Sequence, residues 1–161
     1  MGFDEIYDQY FPRVYRFIKM KTMNDMDSED ITVEVFEKVY KNIEKYSSDK
    51  ASLDTWIFTI ARNELASFYR KKKIKTVAID SIAELKDEAE TPELALENKF
   101  KNKKLIDAIN KLNENERRVV SYKYGAGLKN TDIAELMDIS SSNVGVVLFR
   151  SIKKLQKELE G

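Results

Sequence analysis

The sequence predicts an all-α chain of two small helical domains joined by an acidic linker, the second domain containing a helix-turn-helix. Three observations carry that expectation. Only two prolines and five glycines interrupt the 161 residues, and apolar residues recur at three- and four-residue spacing with little strand-like alternation. The 28 basic and 28 acidic side chains cancel overall but are segregated: residues 1–61 carry net −4, 62–75 net +5, 76–97 net −6 and 98–161 net +5. Residues 130–155 read as a short helix, a tight turn and a longer helix. The domain boundaries follow the charge: 1–75, 76–97 and 98–161.

Each element has its own signal. The first helix covers roughly 3–20, where Phe3, Ile6, Tyr7, Tyr10, Phe11, Val14, Tyr15 and Ile18 form one stripe. Pro12 falls inside it and is expected to kink or restart the helix. The second helix is expected to start at Asp27, with Asp30 in the place of a capping box, and to bury Ile31, Val35, Val39 and Ile43. A polar loop at 47–53 precedes a third helix running from Leu53 or Asp54 to about Lys72. Residues 74–95 read as linker, with local helix at 80–89. Helices are then expected at 93–111, 114–124, 130–137 and 141–159, with Gly125 and Gly127 marking the break after the second of these. In the helix-turn-helix, Asn130-Thr131-Asp132 is placed to cap the first helix and Asp138-Ile139-Ser140 forms the turn. Val144, Leu148, Ile152 and Leu155 face inward.

Composition excludes several chemistries. With no His and no Cys, there is no disulfide, no zinc finger, no haem ligation and no thiol or imidazole catalysis. No nucleophile elbow, phosphate loop or metal-spaced carboxylate cluster is present, so neither an enzyme nor a metal or other cofactor is expected. No apolar run approaches the roughly 20 residues of a membrane span. The acidic N-terminus lacks a signal-peptide pattern, so the expected location is the cytoplasm.

Three surfaces carry functional expectations. Asp30, Glu34 and Glu37 recur at i, i+4 and i+7 opposite the apolar face of the second helix, an acidic strip suited to a basic protein partner. Asn63, Ser67 and Arg70 share one face of the third helix, followed by Lys71, Lys72 and Lys73. Trp56, Phe58, Phe68 and Tyr69 interleave with this basic run, a pattern fit for unstacked nucleic acid on aromatic platforms. In the helix-turn-helix, Ser142 and Asn143 open the second helix, and Arg150, Lys153 and Lys154 follow for phosphates.

These pieces stand in the order of one family. Residues 27–36 (DSEDITVEVF), 53–63 (LDTWIFTIARN), 112–117 (LNENER), 133–140 (IAELMDIS) and 150–155 (RSIKKL) resemble the extracytoplasmic-function sigma factors of bacterial RNA polymerase, nearly end to end. The resemblance implies that Asp30, Glu34 and Glu37 meet the β′ clamp helices of core polymerase. It implies that the loop at 47–53 and the helix after it, with Leu53, Asn63 and Ser67 as contacts, melt the −10 promoter element and capture a flipped base. It also implies that the second domain engages the β flap and reads the −35 element, that the acidic linker crosses the polymerase cleft, and that a cognate anti-sigma factor exists.

Two departures bear on the helix-turn-helix. Asp138 stands where the family usually has a glycine, and Asp tolerates left-handed backbone better than most residues. Asn143, Gly145, Val146 and Val147 occupy positions where the family usually has Thr, Lys, Ser and Arg. That leaves Ser142, Asn143 and apolar contact with thymine methyls to read bases. The alternatives are a sigma-like decoy that binds an anti-sigma factor, disfavoured by the intact basic block at 62–75, and an ordinary helix-turn-helix repressor. The repressor reading leaves the acidic strip and the Trp56 stretch unexplained.

Overall fold

Among the described residues every regular element is a helix. The computed structural model describes residues 2–78 and 103–160, without the side chains of 74–78. The linker beyond residue 78, the helix expected at 80–89 and the start of the helix expected at 93–111 lie outside the described residues.

Helix α1 spans Phe3–Thr22, opening on Asp4 and Glu5 and ending with Lys19 and Lys21, the charge order its dipole favours. It continues through Pro12 without restarting there. Pro12 and Asp8 are both exposed, so water can reach the Asp8 carbonyl that the proline ring leaves without its helical N–H. Helix α2, Asp25–Asn42, starts two residues before the expected point. Asn24 is its cap, its side-chain oxygen accepting from the Asp27 N–H at 2.9 Å, so Asp27 and Asp30 form no capping box. A single 3₁₀ turn, Ile43–Lys45, ends α2. The following loop is pinned by Tyr46, whose hydroxyl donates to the Ala51 carbonyl at 2.9 Å and whose ring lies 5.2 Å from Trp56. Helix α3 spans Leu53–Ala78, beyond the expected end at Lys72.

The second half opens with α4 over 103–110 and α5 over Glu114–Val120. Asn113 and Glu116 make a full capping box, each bond 2.9 Å. The chain then widens into a π turn, Ser121–Gly125, closed by the Ala126 N–H on the Ser121 carbonyl at 3.0 Å. Gly127 turns it with φ +69°. Helix α6, Asn130–Met137, receives no side-chain cap at its start; Asp132 is buried inside it, which corrects the expected capping role. Asp138 takes the left-handed turn at φ 56°, ψ 48°. Helix α7, Ser141–Glu160, follows with the Ser140 hydroxyl accepting from the Asn143 N–H at 3.0 Å.

The two halves share one contiguous core from Ile6 to Leu148. At the seam between them Phe17 stacks on Tyr122, ring centres 4.9 Å apart, and meets Phe58 edge-on at 5.7 Å. Gly125 allows this approach: a Cβ there would lie 3.0 Å from the Phe17 Cα and 3.0 Å from the Met20 sulfur. Three arginines of the first half donate to backbone carbonyls of the second. Arg13 reaches Ala126 at 2.6 Å, Arg16 reaches Gly125 at 3.3 Å and Arg62 reaches Leu136 at 2.8 Å. Arg13 is itself aimed by Asp54, 3.2 Å away, which also accepts from the Tyr10 hydroxyl. Burial, then the Asp54 carboxylate, push the Tyr10 phenol well above its ordinary range.

Candidate protein and nucleic-acid interfaces

The face of α2 opposite the core presents Asp30, Glu34 and Glu37, all exposed. Ile31, Val35 and Val39 are at most 1% exposed on the other side, so the helix separates the two sets as its periodicity predicts. The strip is not purely acidic. Val33 and Tyr40, 51% and 65% exposed, stand among the carboxylates, with the Tyr40 ring 5.1 Å from Phe3. Both were readable as apolar residues off the core face. A fourth carboxylate, Glu64 of α3, is buried and paired to Lys38, a tie with no local sign in the sequence.

Along α3 the structure brings Asn63, Arg70, Lys71, Lys72 and Lys73 to the surface, with Ser67 half-buried. Leu53 is half-buried against the core. Lys72 turns back on its own half, 3.7 Å from Asp27 and 5.8 Å over the Phe68 ring. The expected aromatic platform is reduced. Phe58 is fully buried, and Trp56 and Phe68 are half-buried against the core. Tyr69 is exposed, its hydroxyl donating to the Lys21 carbonyl at 3.0 Å. Core packing takes these rings because α3 is covered by α1, α2 and α6.

The helix-turn-helix forms as expected. Ile133, Ala134 and Leu136 of α6 and Val144 and Leu148 of α7 are buried, leaving Ser142, Asn143, Arg150, Lys153 and Lys154 at the surface. Lys154 is committed within the fold, its ammonium 2.8 Å from Glu116. Burial alone would push the Glu116 carboxyl up; the Lys154 bond and the Asn113 N–H outweigh it and hold it below its usual range. Val147 packs against the core rather than facing out. Val146 and Phe149, 46% and 63% exposed, lie on the outer face instead.

Asp132 of α6 reaches the other half. Its Oδ1 lies 3.4 Å from both the Ser52 and the Thr55 hydroxyls, while its buried Oδ2 has no hydrogen-bond partner among the described residues. Lys21, at the end of α1, is pulled down to about 8 by burial and by Arg118 and Arg117 of α5. The seam therefore carries groups that are incompletely matched.

The family model for Sigma-70 region 2 matches residues 6–74, and that for Sigma-70 region 4 matches residues 102–155. The chain is 32% identical over 158 residues to the ECF RNA polymerase sigma factor SigM of Bacillus subtilis, covering 97% of this chain and 94% of that one. It is 25% identical over 159 residues to the ECF sigma factor BldN of Streptomyces coelicolor, covering 98% of this chain but only 60% of the relative. In structure it resembles the sigma factor RpoE of Bartonella quintana, solved with the anti-sigma factor NepR. That likeness has a TM-score of 0.72 at 20% identity and covers 98% and 96% of the two chains. It also resembles CnrH, solved with the cytosolic domain of CnrY, at TM-score 0.71 and 14% identity, covering 98% and 87%. At these identities both structures speak for the fold alone.

Proposed function

The chain belongs to the extracytoplasmic-function sigma factors of bacterial RNA polymerase, and from that premise we propose how its surfaces direct core polymerase to promoters. The observation that carries the proposal is the separation of three exposed faces on one body: the acidic strip of α2, the polar and basic face of α3, and the outer face of α7. The α2 strip meets a basic surface of the polymerase clamp, with Val33 and Tyr40 as apolar anchors among the carboxylates. Asn63 and Ser67 hold an unstacked base of the −10 element while Arg70, Lys71 and Lys73 hold its backbone. Helix α7 enters the major groove at −35, with Arg150 and Lys153 on phosphates. The chain binds and positions, leaving the chemistry to the polymerase in the cytoplasm.

The two DNA-reading faces cannot serve one promoter in the closed arrangement. Elements centred near −10 and −35 are about 25 base pairs apart, roughly 85 Å along B-DNA. Thr55 of α3 and Asp132 of α6 are 3.4 Å apart. The seam must therefore part when both elements are engaged, and an anti-sigma partner need only keep the α2 strip and the parted seam from polymerase. The repressor reading gives no role to the α2 strip.

Run-off transcription with core polymerase on a promoter library randomised at −10 and −35 tests the reading. Recovery of templates sharing both elements at fixed spacing is expected. Initiation that does not depend on the added chain would contradict it.

A further inference from the structure

We propose that α7 reads the −35 element chiefly through thymine methyl groups, with Val146 and Phe149 as the specificity-determining side chains; the inference rests on the promoter-reading function given above. Ser142, Val146, Phe149 and Lys153 follow one another at i, i+4, i+7 and i+11, so they fall within one narrow stripe of the helix. Val146 is 46% and Phe149 63% exposed. The other described phenylalanines are buried or half-buried. The core does not need either side chain, because Val144 and Leu148 already supply the inner face of α7. The Lys153 ammonium sits 4.7 Å over the Phe149 ring, so the ring lies along the helix surface with a cation at its back.

The surroundings identify what covers this apolar stripe. Arg150 flanks it, Lys153 stands at its C-terminal end and Asn143 beside its N-terminal end, all exposed, which suits a polyanion with base edges within reach. From Ser142 to Phe149 the helix rises about 10 Å, the length of roughly three base pairs. The only apolar group that a DNA major groove displays is the C5 methyl of thymine. Gly145, at the edge of the same stripe, supports this reading. A Cβ there would meet nothing within 4 Å, so the protein's own packing does not require glycine. The missing side chain instead lowers the helix surface between Ser142 and Phe149 and lets a groove wall come closer.

Deoxyuridine tests the idea, because it keeps every hydrogen-bonding group of thymine and removes only the methyl. The holoenzyme is first used to select −35 elements from a randomised library, and each thymine of the selected element is then replaced singly by deoxyuridine. Selected elements should contain thymine on one strand or the other within a three-base-pair window. At one or more of these positions the replacement should weaken promoter binding about fourfold, the worth of one buried methyl-sized group. Phe149→Ala and Val146→Ala should each weaken binding to the thymine element and shrink the thymine-to-uridine ratio towards one. Gly145→Ala should raise the melting temperature of the free chain yet weaken the same binding, which separates a reading defect from a folding defect.

Equal binding to thymine and deoxyuridine at every position overturns the proposal. So does an unchanged ratio in Phe149→Ala. If Phe149→Ala loses an anti-sigma partner while keeping the ratio, the stripe is a protein dock and the inference is wrong. Failure of the holoenzyme to select any promoter would instead contradict the function itself.

Discussion

The seam between the halves and the faces turned to solvent are built by different means. At the seam Phe17, Phe58 and Tyr122 bury their rings against one another, and Arg13, Arg16 and Arg62 bond to backbone carbonyls. On α2, α3 and α7 most of the candidate contacts are exposed side chains, Leu53 and Ser67 being half-buried and Lys72 and Lys154 ion-paired. Damage to the seam should therefore change shape and lower stability, and damage to the faces should weaken binding without lowering stability. The seam is also imperfect. Asp132 Oδ2 and the Arg117 Nε are buried without hydrogen-bond partners among the described residues, and Lys21 faces two arginines. Each such mismatch costs free energy that returns when the halves part, which suits a contact that has to open.

Substitutions can break this contrast in order of size. Phe17→Ala removes a ring that serves both its own half and the seam, and should cost about 3–5 kcal/mol of unfolding free energy in urea titration. Gly125→Val forces a side chain onto the α1 backbone and should cost about 1–3 kcal/mol, with an earlier elution volume as the halves separate. A Gly125→Val chain that elutes as the parent does would mean the close approach is not what holds the halves together.

The faces should behave in the opposite way. Glu34→Lys with Glu37→Lys should weaken binding to core polymerase at least tenfold, about 1.4 kcal/mol, while thermal unfolding is unchanged. Gly145→Ala should stabilise the free chain by about 1 kcal/mol, because α7 loses a glycine that nothing in the fold requires. A further effect is one of pH. Lys21 titrates near 8 in the folded chain and at its ordinary value near 10.5 when unfolded. Between those values the unfolded chain binds more protons, so stability should rise from pH 8 towards pH 10. Above pH 10 the raised Tyr10 and Tyr122 phenols reverse the trend, since the unfolded chain then loses those protons first. Lys21→Met should flatten the rise between pH 8 and 9.5 in a series of melting curves.

Local pattern carried much of this into the sequence. The two faces of α2 follow from helical spacing, and Asp138 at a left-handed turn follows from the chemistry of that residue. The seam had no such signal. Phe17 is in register with the stripe of α1, three residues after Val14 and seven after Tyr10, but nothing local points to its partner Tyr122, more than a hundred residues away. Gly125 was legible as a helix stop but not as the point where α1 presses on the chain. The fates of Asp132, turned to Thr55, and Lys154, turned to Glu116, also depended on which helices meet. Pro12 does not restart the helix, and the same periodicity that marks the core of α1 places it with Asp8 on the opposite, exposed face.

Because the chain contains no cysteine, a pair of introduced cysteines can be labelled without background, and this permits the most direct test of closure and opening. Lys50→Cys and Glu135→Cys place dyes at exposed positions near the contact of Ser52 with Asp132, within about 20 Å of each other when the halves are closed. Energy transfer should be high in the free chain and should fall to a low value in the promoter-bound holoenzyme, as the two reading faces move apart along the DNA. High transfer that persists in a promoter complex protected at both −10 and −35 would contradict the account.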